Sequence, residues 1–301
     1  MNGGTQKKAI IIGASEEALH TIKKAHENGL FVTALDGNPA ASGLAAADKA
    51  LVVDISDERA TIEAVRKEDP DFVLTVPIGR YLTTIGMVND TLQLPGISRE
   101  MAEKCTDKWL FHETLVQKGL RNCHCYPASK IKEKRDTGSV AFREEIPEDK
   151  LTFPAILKPR FGSGSRGIHM LFSKEDLERG LSEIGEEDYI LEECIAGEEY
   201  GIDGAVIGGK FHLILLRKKK NTPFPARQAV AYFSILPEDP FYGQAREYMK
   251  AVIEAMGLDE CLLHADLIQG ENGPFVIELS ARPSGHNLHN LFTPLCTGID
   301  E

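Results

Sequence analysis

The 301-residue chain has no long apolar run, no closely paired cysteine motif and no surplus of basic charge, and each absence removes a class of function. No stretch approaches the roughly 20 apolar residues of a membrane helix. Lys7-Lys8 is followed only by Ala9–Ile12, too short for a secretory leader, so a cytoplasmic protein that neither spans nor binds a membrane is expected. The six cysteines (Cys105, Cys123, Cys125, Cys194, Cys261 and Cys296) contain no Cys-x-x-Cys, which argues against a zinc site or a disulfide framework. Cys123-His124-Cys125 is at most a metal half-site, because partners at matching spacing are missing. Acidic residues outnumber basic ones 46 to 34, a net charge of −12, which excludes the basic surface that nucleic acid requires. The one basic run, Lys218-Lys219-Lys220, reads as a solvated face, with phosphate binding as the other reading. An apolar fraction of 42% with 27% charged residues is that of a soluble globular protein. The length exceeds what one hydrophobic core supports, so two or three domains are expected.

Residues 7–95 alternate short β-branched runs (Ala9–Ile12, Leu30–Leu35, Ala50–Val53, Phe72–Val76) with segments of helical period. That pattern predicts a parallel sheet. Gly13-Ala14-Ser15 after the first strand and Asp36 after the second invite a dinucleotide site. Only Gly13 of the three fingerprint glycines is present, however; Ser15 and Ala18 hold the other two positions. Gly96-Ile97-Ser98 closes this part, with Ser98 an N-cap for the next helix. A further helix starts near Asp107 and ends at Gly119. Residues 130–149 are highly charged and read as a surface insertion. Helices are expected near residues 174–184 and over Pro240–Met256, with strands dominating from residue 189 onward.

The chemistry concentrates toward the C-terminal end. Asp266 and Glu278 lie 12 residues apart, at the ends of two predicted strands joined by Gln-Gly-Glu-Asn-Gly-Pro, a turn sequence. A hairpin of that length sets the two acids side by side, and hard oxygen ligands suit magnesium, which takes further ligands from phosphates. Upstream, Ala155-Ile-Leu-Lys158-Pro reads as a buried strand carrying a lysine. Phe161-Gly162-Ser163-Gly164-Ser165-Arg-Gly167 then offers backbone N–H groups and hydroxyls to an anion, without the Gly-Lys-Ser/Thr of a Walker loop. The segment Tyr189–Asp203 supplies an adenosine site: Glu192 or Glu193 for the exocyclic amine, the backbone at Ile195 for the ring edge, and Glu199 for ribose.

These motifs, in this order and over nearly the whole chain, resemble the ATP-grasp superfamily of ATP-dependent carboxylate–amine or carboxylate–thiol ligases. Glu278-Leu-Ser-Ala-Arg-Pro-Ser-Gly-His286 leans toward the carbamoyl-phosphate-synthetase-like and amino-acid-ligase members. The resemblance implies an α/β and α+β fold, with a Rossmann-like pre-ATP-grasp domain (residues 1–97) before a two-lobed ATP-grasp domain (98–301). In the second domain the lid falls at about 120–188 and the C-terminal lobe at about 189–301. It implies Lys108 and Lys158 as nucleotide lysines, Gly162–Gly167 as the loop over the phosphates, and Glu192, Glu193, Ile195 and Glu199 as adenosine contacts. Asp266 and Glu278 become metal carboxylates, and Arg282 the arginine beside an acyl phosphate. Many members have Asn where Ser280 stands, and a hydroxyl is the weaker ligand, which leaves one or two metals open. Related enzymes continue through further helices, so a short or truncated C-terminus is expected.

The expected reaction uses ATP with Mg²⁺, or Mn²⁺ in its place, to activate a carboxylate as an acyl phosphate that an amine then attacks. Positioning and electrostatics carry such a reaction, so Lys108, Lys158 and Arg282 matter more than any nucleophile. Arg227, Arg217 and His286 are candidates for holding the acceptor, with Ser284 and His289 nearby. The expected partners are small carboxylates and amines, with a homodimer allowed. The competing classes are an ATP-binding regulatory protein or pseudoenzyme, and a Rossmann oxidoreductase.

Overall fold

The computed structural model describes residues 6–134, 140–142, 152–162, 166–184, 188–223 and 228–300. Strand and helix alternate at the start: β1 (Lys8–Ile12), a 3-10 turn (Glu16–Ala18) leading into α1 (Leu19–Glu27), β2 (Phe31–Asp36), α2 (Ser42–Ala46), β3 (Lys49–Val52), α3 (Glu58–Glu68), β4 (Phe72–Leu74) and α4 (Leu82–Leu92). The four strands form a parallel sheet in the order β3-β2-β1-β4. Ile10, Ile11 and Ile12 are all buried, as a strand covered on both faces requires. The strand order reverses between β1 and β4, which opens a crevice at their carboxyl ends.

Two short helices then bridge to the rest of the chain. Ser98 caps α5 (Arg99–Thr106) by accepting from the Met101 amide at 3.2 Å. Asp107 caps α6 (Lys108–Gln117) by accepting from Trp109 and Leu110 at 3.0 and 3.2 Å. Gly119, at φ 68°, closes that helix where expected. α4 and α5 meet so closely that a Cβ on Gly86 would lie 2.5 Å from the Ser98 carbonyl oxygen. The expected domain boundary at residue 97 thus falls inside a tight helix–helix contact.

The second sheet is antiparallel. After β5 (Cys125–Pro127) come α7 (Ala128–Ile131) and a small hairpin of β6 (Lys132–Lys134) with β7 (Val140–Phe142). β8 (Ala155–Pro159), β9 (His169–Leu171), α8 (Lys174–Glu183) and β10 (Tyr189–Glu193) complete the unit, with strand order β5-β10-β8-β9. Leu157, Leu171, Leu177, Leu181 and Leu191 form a core of its own between this sheet and its helices. β10, read from sequence as the start of the C-terminal lobe, is instead an inner strand of this sheet.

The third sheet, also antiparallel, takes β11 (Glu198–Ile207), β12 (Lys210–Asn221), β13 (Ala229–Ile235), β14 (Cys261–Gly270) and β15 (Gly273–Ser280) in the order β13-β12-β11-β14-β15. α9 spans Pro240–Met256 as predicted, opened by Asp239, which accepts from the Phe241 amide at 2.8 Å, and closed by Gly257 at φ 70°. Its apolar side joins Tyr200, Ile202, Leu216, Leu267 and Val276 in one core that runs on through α4–α6 to the parallel sheet. Alternation along the strands sends Asp203, Arg217, Lys219, His264, Asp266 and Glu278 to the other face. A π-helical turn (Leu288–Phe292) and α10 (Thr293–Thr297) end the described chain. Among the described residues, no helix is long and apolar enough to cross a membrane.

Asp107 serves two structures at once, because Arg160 beyond β8 forks onto the same carboxylate at 2.7 and 2.6 Å. Asp107→Ala should lose both roles and cost roughly 1–2 kcal/mol, most of it the helix cap. Asp107→Asn keeps the cap and should fall between it and the native protein in urea midpoint. Equal loss in the two variants would refute the division.

Candidate active site

His264 of β14, the end of β15 with Arg282 beyond it, the start of α6, Gly162 after β8 and the segment after β4 line a cleft of about 630 Å³, open solvent included. On the second sheet, Lys158 stands opposite Ile190 and Glu192 opposite Ile156. The lysine and the glutamate are therefore diagonal neighbours on one face. Their side chains form an ion pair, and Arg121 binds the other oxygen of Glu192. All three are at least 94% buried. Burial alone would raise the Glu192 carboxyl, but the Lys158 ammonium and the Arg121 guanidinium outweigh it and hold it down at about 2. The glutamate is thus a permanent anion.

Lys108 reaches the same cleft from the first turn of α6. Its Nζ donates to the Gly162 carbonyl at 2.8 Å, and its backbone N–H donates to the Arg160 carbonyl at 3.1 Å. Burial lowers its ammonium below the ordinary lysine range, against the opposing field of Glu278. Gly162 and Gly167 carry positive φ, 124° and 70°, and a Cβ on Gly167 would press on the Tyr189 hydroxyl at 2.6 Å.

On the third sheet Asp266 stands directly opposite Glu278, and His264 opposite Ser280. Lys219 Nζ lies 2.5 Å from Asp266 Oδ1, and His264 Nε2 lies 3.4 Å from the same oxygen. Among the described residues that buried oxygen has no hydrogen-bond partner of good geometry. Burial would raise the Asp266 carboxyl, yet Lys219 and His264 hold it well below its usual range. The donor set, an under-satisfied carboxylate facing a second carboxylate with a hydroxyl alongside, fits a hard divalent cation. His264 Nδ1 sits 3.2 Å from both Asp203 Oδ1 and Arg217 Nη2. Arg282 donates to the Ile78 carbonyl at 3.0 Å and to that of Pro283 at 2.7 Å. These bonds place it where the cleft meets the parallel sheet. Just beyond, the His286 amide donates to Glu17 Oε1 at 2.8 Å.

The expected residues therefore divide. Lys108, Gly162, Glu278, Ser280 and Arg282 line one cleft, with Asp266 beside it opposite Glu278 and Lys158 buried on Glu192 in the second sheet. Glu193 accepts from the His124 amide at 3.2 Å and Glu199 from Asn221 Nδ2 at 2.6 Å, while Ile195 is half-buried just after β10. Ser163, Gly164, Ser165 and Arg227 lie outside the described residues. Two readings are corrected. Arg217 is fully buried beneath His264 in an ion pair with Asp203, so it supports the cleft from below and does not meet an acceptor. Lys219 does not belong to a solvated face, since strand alternation turns the middle lysine of the run onto Asp266. His264, Lys219 and Arg121 were not singled out as site residues; the alternation of β12 was the available signal for Lys219. The turn after β1 is packed against α2. The Ala14 amide donates to Asp36 at 2.7 Å, and a Cβ on Gly43 would lie 2.8 Å from the Ala14 carbonyl.

Residues 151–289 match the sequence family described as an ATP-grasp domain. The fold agrees over its whole length. An L-amino acid ligase from Bacillus licheniformis superposes with a TM-score of 0.79 at 21% identity, over 99% of this chain and 72% of that one. The biotin carboxylase domain of Hydrogenobacter thermophilus 2-oxoglutarate carboxylase, solved with MgADP and bicarbonate, gives 0.74 at 17% identity, over 99% and 68%. By sequence, the L-arginine-specific L-amino acid ligase of Bacillus subtilis is 23% identical over 252 residues, 80% of this chain and 58% of that protein. The chain spans about half the length of the curated relatives it matches.

His112, Cys125 and Glu192 bring ligand atoms within 4.8 Å of one another, the one such grouping outlined among the described residues. It is a poor metal centre, because two cations already neutralise Glu192 and burial raises the Cys125 thiol. His112 Nδ1 has no hydrogen-bond partner, and the ring stacks on Trp109 at 5.6 Å. Burial, aided by Arg121, lowers its pKa from 6.5 to about 4. Between those two values the unfolded chain takes up a proton that the fold refuses, so stability falls as pH drops through that window. His112→Phe keeps the stack and should flatten the denaturant midpoint between pH 6.5 and 4. An unchanged slope would remove His112 as its source.

Proposed function

We propose that this protein is an ATP-dependent ligase that joins a carboxylate to an amine, releasing ADP and phosphate. The observation that carries this reading is the meeting, in one cleft, of Lys108 from α6 and Arg282 with Glu278, which stands opposite Asp266 on the third sheet. A carboxylate attacks the γ-phosphate of ATP to give an acyl phosphate, and an amine displaces phosphate from the acyl carbon. Lys108, Lys158 and Lys219 draw the phosphates into place, and Arg282 faces the charge that builds on the transferring group. Asp266, Glu278 and Ser280 would hold magnesium, or manganese in its stead, which neutralises phosphate charge when bound. Glu193, Ile195 and Glu199 receive adenosine, since both oxygens of the buried Glu192, the other sequence candidate, are taken by Lys158 and Arg121.

The acceptor enters beside Arg282, where the crevice between β1 and β4 opens toward the cleft, with His286 a candidate for its rim; from sequence Arg227 is the other candidate contact. Similarity to amino-acid ligases favours an amino acid as one substrate. We read residues 1–97 as the pre-ATP-grasp domain and 98–301 as the ATP-grasp domain.

Phosphate release from Mg–ATP, screened against pools of amino acids and small carboxylates, tests the reading. ATP bound without release for any pool would instead identify a regulatory protein. Once an acceptor is known, Glu278→Gln should lower turnover roughly 10²–10³-fold while ATP affinity changes far less. Asp266→Asn should act alike, and the double variant less than additively. Full activity in Glu278→Gln at saturating magnesium would overturn the metal assignment.

A further inference from the structure

The Lys158–Glu192 pair poses an electrostatic problem. A lysine whose ammonium sits on a buried carboxylate forms a neutral unit and attracts an anionic phosphate weakly. Moving that lysine onto a phosphate would also strip a buried carboxylate of its partner, one of the costlier events in a protein interior. Arg121 stands where it answers both difficulties. Its guanidinium holds the Glu192 oxygen that Lys158 does not use, and it is clasped between the Phe111 ring at 5.4 Å and the Phe275 ring at 4.7 Å. Its Nε donates to Cys123 Sγ at 3.4 Å. Of the groups packed around it, His112 is neutral near pH 7 and burial raises the Cys123 and Cys125 thiols, while Lys108 and Glu193, of opposite sign, are the charged neighbours.

We infer that Arg121 is a positioning residue for nucleotide binding, the fixed counter-charge of Glu192 that leaves the positive charge of Lys158 available to the nucleotide's phosphates. The triad of two cations and one anion carries +1; without Arg121 it carries zero. Lys158 can then shift from carboxylate to phosphate while Glu192 stays paired. Arg121 reaches the nucleotide only through Glu192 and Lys158, and it packs against both α6 and the β14–β15 hairpin. This inference rests on the nucleotide reading proposed above.

The experiment measures binding of magnesium with adenylyl imidodiphosphate to the full chain by calorimetry, with thermal melting of each variant as the check on folding. Failure of the native protein to bind would sink the nucleotide reading, and this inference with it. If the native protein binds, Arg121→Met, which keeps the bulk between the two rings, should weaken binding roughly 10- to 100-fold. Adding Glu192→Gln removes the surplus negative charge and should restore most of that loss, which a purely packing role for Arg121 does not predict. Native affinity in Arg121→Met, or no recovery in the double variant, overturns the inference. If Arg121→Met does not fold, Arg121→Lys and Arg121→Gln replace it. Charge balance requires the lysine variant to bind near the native level and the glutamine variant to fall well below it; equal affinities, or the reverse order, overturn the inference.

Discussion

A carboxylate shut away from water has to be paired, and Glu192 shows what that requirement imposes on a whole lobe. Its two oxygens are claimed by cations that arrive from different directions, Lys158 from the neighbouring strand and Arg121 from the segment after α6. Satisfying Glu192 therefore fixes how β8, β10 and the approach to β5 lie together, and it holds the Lys158 ammonium inside the second sheet's face. An apolar residue at position 192 would ask nothing of Lys158. The lysine would then be free to turn to solvent, and the second sheet would present no charge to a ligand.

The third sheet meets the same requirement by spreading charge along one face. Arg217 neutralises Asp203, His264 bridges Asp203 and Asp266, and Lys219 completes the row. The lower members are sealed by the C-terminal turn, with the Thr293 hydroxyl 3.4 Å from Asp203. The upper ones open to the cleft. This gradient from sealed to open explains why two cations two residues apart on β12 have different fates. Arg217 and Asp203 are fully buried, while Lys219 and Asp266 keep part of their side chains exposed.

Much of this arrangement was legible in the sequence, because it rests on local rules. Ser98, Asp107 and Gly119 mark their helix ends by capping chemistry, α9 has the bounds its periodicity gives, and a turn-joined pair of apolar runs brings Asp266 opposite Glu278. What escaped was decided by partners distant in the chain. β10 carries no mark to say that it pairs with β5 and β8 instead of opening the next lobe. Arg121 looks like any loop arginine until two phenylalanines, ten residues before it and 154 after it, close on its guanidinium. Arg217 and Lys219 have the same charge, and only the packing above them separates their roles. The glycine loop is a different case, since its central residues, Ser163 to Ser165, fall outside the described chain.

The junction at Asp107 has a mechanical meaning. One carboxylate caps α6 and grips Arg160, and the Arg160 carbonyl in turn holds the Lys108 amide. The second sheet is thus bolted to the first turn of the helix that supplies a cleft lysine, through a side-chain fork and a main-chain bond only one residue apart. Such a fastening has little slack, because releasing the fork pulls on the amide as well. Moving the sheet away from α6 would have to break both bonds together, and with them the main-chain anchor of Lys108.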